Sequence, residues 1–310
     1  MTPITSPNGT PASSFCFGTM QFGGKSSESE SEAVFRQSRE AGINFFDTAH
    51  AYNDGRSEEL LGRFAARERD DLVIATKCGG EGDCSRKTIL KQFDDSRRRT
   101  GLDRFDIYYL HRWDPRTPLE ETYETMAELV SSGGIRMIGI SNYSAWQTMK
   151  AQAVAEKLGI RIDLLQPMYN LVKRQVEVEI LPMARSEGFS VTPYSPLGGG
   201  LLTGKYLSGA DGRIRADQMY AARYAPEWMS AVASGLSDLA HEVGVPAITL
   251  AVAWVARNPD ITAPIISGRT PEQLAPSLAA MGFDMDDDLY ALVSALSPKP
   301  APATDRLEEG

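Results

Sequence analysis

Residues 105–140 read FDIYYLHRWDPRTPLEETYETMAELVSSGGIRMIGI, and this stretch decides the fold class. It opens on the apolar run 105–110, crosses a polar turn and passes through a segment of helical period at 119–131. It then reaches Gly134 and a second apolar run at 135–140. Short runs rich in β-branched and aromatic residues form strands, and longer segments of 3.6-residue period form amphipathic helices. One βαβ unit is therefore complete in this stretch.

Outward from it the alternation continues almost from end to end. Apolar runs at 15–22, 43–46, 72–76, 162–165, 189–193 and 261–266 bring the strands to eight. Between them, 30–41, 57–67, 145–158 and 177–187 read as helices, and Gly42, Gly101, Gly134, Gly159 and Gly188 stand where a left-handed helix stop is wanted. Strands that alternate with helices pair in parallel and are covered on both faces, which is why Leu72-Val73-Ile74-Ala75 is apolar without a polar alternate. The pattern predicts an α/β fold, a closed (β/α)8 TIM barrel in a single domain. A doubly wound sheet would ask for a G-x-G-x-x-G turn after an early strand, and Gly18, Gly23 and Gly24 are wrongly spaced for one. Residues 1–296 are assigned to the barrel. Residues 198–226, after the seventh strand, are long enough to form a functional loop over one mouth. The tail 297–310, SPKPAPATDRLEEG, is too rich in proline and charge to build core.

Composition narrows the function. Hydrophobic residues make up 42% of the 310 and charged residues 24%, enough apolar material for a sizeable core. With 41 acidic against 32 basic side chains the net charge is -9, which argues against nucleic acid as a partner. No run approaches the roughly 18 apolar residues of a spanning helix, and no basic leader precedes Lys25. Cys16, Cys78 and Cys84 form no C-x-x-C pair and no even disulfide set. The expectation is a soluble cytoplasmic protein that contacts neither nucleic acid nor membrane; the sequence leaves its oligomeric state open.

Active sites of βα barrels gather at the C-terminal ends of the strands, because the loops that follow open on that face. The runs end on Asp47, Lys77, His111, Ser141-Asn142, Gln166 and Tyr194-Ser195. Asp47 and Lys77 close successive strands and can pair at the mouth, each holding the other ionised. Tyr52, five residues past Asp47, can turn its hydroxyl toward Lys77, whose ammonium lowers the phenol pKa and suits it to act as a general acid. His111 can donate to a substrate oxygen. A multi-histidine metal centre is not expected from His50, His111 and His241, and Cys78 reads as a packed thiol.

The segments FGTMQFGG, GINFFDTAHAYNDGRSEELLG, LVIATKCG, FDIYYLHRWDP, GGIRMIGISNYS, LLQPMYNL, VTPYSPLGGGLLTGKY and ISGRTPEQL together resemble the aldo-keto reductase superfamily. The resemblance covers nearly the whole chain. It implies a metal-free (β/α)8 oxidoreductase that reduces an aldehyde or ketone with NADP(H), its catalytic tetrad falling on Asp47, Tyr52, Lys77 and His111. It also implies that Ser141, Asn142 and Gln166 hold the nicotinamide carboxamide, that Tyr194 stacks on its ring and that Thr19 and Met20 approach the ribose. Ser195, Pro196, Leu197, Gly199 and Lys205 would close over the pyrophosphate, with Arg269 and Gln273 near the 2'-phosphate and adenine. The chain departs from the pattern at Ser267 and at Ala275-Pro276-Ser277, where many relatives carry Glu-Asn.

The superfamily also includes proteins similar to potassium-channel β subunits, so a cofactor-binding sensor with little turnover is the alternative reading. A Schiff-base aldolase acting through Lys77 is disfavoured, because pairing with Asp47 keeps the amine charged and a Schiff-base lysine must be neutral. Trp113, Phe22, Tyr52 and His50 suggest a partly aromatic substrate pocket.

Overall fold

The computed structural model describes residues 3–207 and 209–309. Eight parallel strands, β1 Cys16–Gly18, β2 Phe45–Asp47, β3 Val73–Cys78, β4 Phe105–Leu110, β5 Ile135–Ser141, β6 Leu164–Gln166, β7 Ser190–Val191 and β8 Ile265–Ile266, pair in the order 7-6-5-4-3-2-1-8. The amides of Thr262 and Ile265 donate to the carbonyls of Val191 and Pro193 at 2.8 and 2.9 Å, which joins the last two strands and closes the barrel.

The last two strands are shorter than their apolar runs. Pro193 and Pro264 carry no N–H, so the ladder loses donors where the sequence still looks like strand. β1 stops at Gly18 because Phe22 N–H turns back to the Thr19 carbonyl at 2.9 Å.

The outer layer is formed by α1 Glu28–Glu40, α2 Arg56–Ala65, α3 Arg86–Thr100, α4 Leu119–Ser131, α5 Ala145–Lys157 and α6 Ile180–Glu187. After the seventh strand come α7 Arg213–Ala216, α8 Gln218–Arg223, α9 Glu227–Val243, α10 Ala247–Arg257, α11 Pro271–Ala279 and α12 Asp287–Ala295. Local chemistry fixes their starts: Ser27 and Glu30 form a reciprocal capping box on α1, as do Ser144 and Gln147 on α5. Gly42, Gly101, Gly159 and Gly188 take the expected positive φ. After α4 it is Gly133, at +74°, rather than Gly134 that does so.

The core has two parts. One fills the space between strands and helices, from Val34 and Phe35 to Trp254. The other fills the barrel, where Phe45, Val73, Ile107, Tyr109, Met137 and Leu164 meet. A Cβ at residue 139 would stand 2.2 Å from the Tyr109 ring, so glycine there makes room for that tyrosine inside the barrel. Among the described residues no single helix is long and apolar enough to cross a membrane.

Candidate active site

At the C-terminal ends of the strands a cavity of about 840 Å³ opens, a size suited to a cofactor-sized ligand. Asp47, the last residue of β2, and Lys77, the penultimate residue of β3, form a salt bridge with side chains 4% and 0% exposed. The Lys77 ammonium also donates to the Thr48 carbonyl at 2.7 Å, and the Gln166 amide donates to the second Asp47 oxygen at 2.9 Å. Each charge buried here has a partner, the condition under which a buried ion pair is tolerated. Burial pulls the Lys77 amine down, but Asp47 and then Tyr52 outweigh it and leave its pKa above the ordinary value.

Tyr52 lies on the cavity wall with the Lys77 ammonium 5.1 Å from its ring centroid and the His111 ring 5.9 Å away, edge to face. Its pKa is raised, against the lowering expected from the sequence. Burial is the largest cause, the Lys77 ammonium offsets only part of it, and Asp47 adds to the rise. The phenol is held protonated at neutral pH.

His111 follows β4 and lines the cavity. Burial, then Lys77 and Arg112, depress its pKa to about 3, so the imidazole is neutral. Its Nδ1 is sealed off without a partner and stands where a Cβ on Gly80 would meet it at 2.6 Å, which leaves Nε2 for the cavity. A neutral imidazole whose outward nitrogen carries the proton is a hydrogen-bond donor.

The loop bearing Tyr52 is fastened behind the site. Asn53 and Asp54 both adopt left-handed backbone, at φ 51° and 54°, and the Asn53 amide donates to the carbonyls of Met20 and Phe22 at 2.9 and 2.8 Å. Glu58, fully buried, accepts from Thr76 at 2.7 Å and from Arg99 at 3.0 Å, while Arg99 also donates to the His50 carbonyl. Asn53, Glu58 and Arg99 were not singled out from sequence. The Asn-Asp-Gly run after Tyr52 was the available signal for the tight turn.

Around the barrel, Asn142 at φ 60° donates to the His111 carbonyl at 2.9 Å and accepts from the Tyr194 hydroxyl at 2.7 Å, tying the ends of β4, β5 and β7 together. Ser141 donates to the Gln166 carbonyl at 2.8 Å. Met20, Pro196, Leu197, Gly199, Lys205 and Gln273 line the cavity, as do Ser195 and Arg269. Thr19 does not. It is buried, with its hydroxyl on the Asp47 carbonyl and on Ser57.

Three residues suggested for the pocket wall lie elsewhere. Phe22 is buried against Phe17 and Phe64, Trp113 packs on Tyr143 and Trp146, and His50 has Nε2 3.5 Å from Asp95. Their place is taken by Arg112, Met219, Tyr220 and Arg223, three of them on α8. The long polar segment after β7 was the signal for these three, and adjacency to His111 was the signal for Arg112.

The sequence profile of the aldo/keto reductase family matches residues 14–298. The chain belongs to this family. Its (β/α)8 architecture and the polar mouth described above fit that membership, and it is an oxidoreductase fold in the coarse sense that the family name carries. Among similar proteins, "Uncharacterized oxidoreductase YrpG" of Bacillus subtilis is 35% identical over 96% of this chain and 95% of its own length. "Probable voltage-gated potassium channel subunit beta" of rice, Oryza sativa, is 37% identical over 84% of each chain. "L-glyceraldehyde 3-phosphate reductase" of Escherichia coli is 32% identical over 84% of this chain and 81% of its own.

The mouth also fits the nicotinamide cofactor that the family implies. The Asn142 carbonyl oxygen, with one lone pair used by Tyr194, has a second for a carboxamide N–H, and the Ser141 hydroxyl oxygen can accept as well. Lys25, Lys205 and Arg269 line the same cavity and supply positive charge for phosphates. Among the described residues no cluster of three or more His, Cys, Asp or Glu is arranged to hold a metal ion.

Proposed function

We propose that the protein is an NADP(H)-dependent reductase of an aldehyde or ketone, with Tyr52 as the proton donor. The observation that carries this reading is the meeting of a protonated phenol, a buried ammonium–carboxylate pair and a neutral imidazole on one wall of the cavity. Bound nicotinamide would supply the hydride; the chain's own groups manage the oxygen. As negative charge grows there, Tyr52 transfers its phenolic proton to it. Lys77 stabilises the phenolate that remains, and Asp47 and Gln166 keep Lys77 in place. His111 Nε2–H holds the carbonyl oxygen in line for that transfer. Ser141, Asn142 and Gln166 would hold the carboxamide, Tyr194 would stack on the ring, and Lys205, Arg269 and Gln273 would face the phosphates and adenine. The tail from Ser297 onward would add nothing to this site, in a soluble protein whose workplace is the cytoplasm.

The E. coli relative is named for reducing a small aldehyde, and the coarse class of substrate is carried over here. A second reading, a cofactor-binding regulatory subunit with little turnover, is favoured by the channel-subunit relative at 37% identity. Oxidation of NADPH in the presence of a panel of aldehydes separates the two. Turnover without added metal is expected, and Tyr52→Phe is expected to lower kcat by about 10²- to 10⁴-fold, with NADPH affinity nearly intact. A Tyr52→Phe variant with undiminished turnover would remove Tyr52 from the mechanism.

A further inference from the structure

The charge of the cavity runs against that of the chain. In a protein of net charge -9 the described cavity residues include Lys25, Arg112, Lys205, Arg223 and Arg269, against only Asp47 and Asp211, and Asp47 is already paired with Lys77. Three of these cations lie on the side assigned above to the nucleotide: Arg269 after β8, Lys205 after β7, and Lys25, whose neighbour Ser26 donates to the Arg269 carbonyl at 3.1 Å.

Arg112 and Arg223 are placed differently. Arg112 follows His111 at the end of β4, which the strand order sets across the barrel from β8. Its charge is felt at the His111 ring. Arg223 ends α8 with its guanidinium 5.0 Å from the Tyr220 ring centroid, and it bears electrostatically on Tyr194. Tyr220 in turn bears on Tyr52. Both arginines therefore border the reactive end. Neither has a carboxylate within ion-pair distance among the described residues, although Arg39, Arg69, Arg99, Arg174, Arg185 and others of the chain do. Acids outnumber bases in this chain, so an arginine left without one in a functional cavity is a feature to account for. A guanidinium fork matches carboxylate and phosphate oxygens in pairs.

We infer that the substrate is a carbonyl compound that also carries an anionic group, a carboxylate or a phosphate, which Arg112 and Arg223 hold while the carbonyl meets Tyr52 and His111. This rests on the reductase reading and deepens it.

The test uses matched pairs at saturating NADPH: 4-carboxybenzaldehyde against benzaldehyde, and glyceraldehyde 3-phosphate against glyceraldehyde. The anionic member of at least one pair is expected to have a kcat/KM about tenfold or more above its neutral partner. The pair that responds distinguishes carboxylate from phosphate. In Arg112→Ala and Arg223→Ala that ratio is expected to fall about tenfold, through KM for the anionic aldehyde, while KM for NADPH moves little. Ratios near one in both pairs for the wild type, or a ratio preserved in both variants, would overturn the inference and leave the reductase reading standing. Reduction of none of the four compounds would sink the reductase reading and this inference with it.

Discussion

At the N-terminal ends of the strands the barrel is stopped by the segment from Ile4 to Ala12. Thr5 and Pro11 pair as an antiparallel bridge, and Ile4, 8% exposed, enters the interior cluster with Phe45 and Val73. At the C-terminal ends the same eight strands open on a cavity of about 840 Å³ bordered by charged and hydrogen-bonding groups. Polar residues at the closed end also pair, but they tie backbone together. Asp106 receives Arg69 and Arg136, each at 2.9 Å, and accepts from the Ile74 amide, while Arg136 reaches the Thr5 carbonyl at 2.7 Å. At the open end the buried pair is held by a glutamine and a backbone carbonyl, and the phenol, imidazole and guanidinium groups around it face space. The closed end thus ties backbone together, while the open end gathers the groups to which the proposed chemistry is assigned.

The sharpest way to break that division is to remove a charge from the open end. Lys77→Met leaves Asp47 buried without its cation, a change that typically costs about 3–5 kcal/mol. Denaturant unfolding should register that loss alongside a collapse of carbonyl reduction. Adding Asp47→Asn should return most of the stability and none of the activity. Unchanged stability in the single variant would mean that the pair serves catalysis only.

The pH dependence of stability sharpens the same contrast through His111. Its folded pKa is about 3 against an unfolded value near 6.5. By about pH 7.5 the ring is almost wholly neutral in both states and contributes next to nothing to the slope. As pH falls from 6.5 toward 3 the unfolded chain takes up a proton that the folded one refuses, so stability drops by at most about 1.4 kcal/mol per unit. Between pH 7.5 and 5 the wild type should lose about 2 kcal/mol more than His111→Asn does. Parallel stability curves for the two would show that the ring is not held neutral.

At the closed end Ile4→Ala should cost about 2 kcal/mol, at the lower edge for such truncations because the residue sits at the margin of the core. Here kcat/KM should stay unchanged. A loss of turnover in that variant would show that the two ends are mechanically coupled.

What the sequence made legible follows from the same contrast. Strand ends carry polar residues where apolar runs stop, so the convergence of Asp47, Lys77, His111 and Gln166 is legible in the sequence alone. Strand lengths were less legible, because Pro193 and Pro264 look compatible with an apolar run yet remove ladder donors. The direction of the Tyr52 shift was misread, since a neighbouring ammonium is visible in a sequence but the depth of burial that outweighs it is not. Phe22, Trp113 and His50 lie near site motifs in sequence and turn into packing. Tyr220 and Arg223 reach the cavity from a helix that no apolar run announces.

The smallest expected effect lies at the edge of the open end and concerns cofactor choice. Arg269 is exposed, and its Nε donates to Gln273 Oε1 at 3.3 Å, which holds the side chain on the cavity rim after β8. A guanidinium there can bond a 2'-phosphate, an interaction typically worth about 1.5–3 kcal/mol, while NADH offers only a hydroxyl. Solvent screening puts the effect at the low end of that range, about tenfold in selectivity. Arg269→Ala should therefore raise KM for NADPH about tenfold and KM for NADH hardly at all, with kcat little altered. Added salt should narrow the wild-type preference, because exposed charge pairs are screened within a Debye length of about 10 Å at 0.1 M. Equal changes for the two cofactors would show that Arg269 does not read the phosphate. Lys25 and the Ala275-Pro276-Ser277 turn of α11 would then be the places where the nucleotide is told apart.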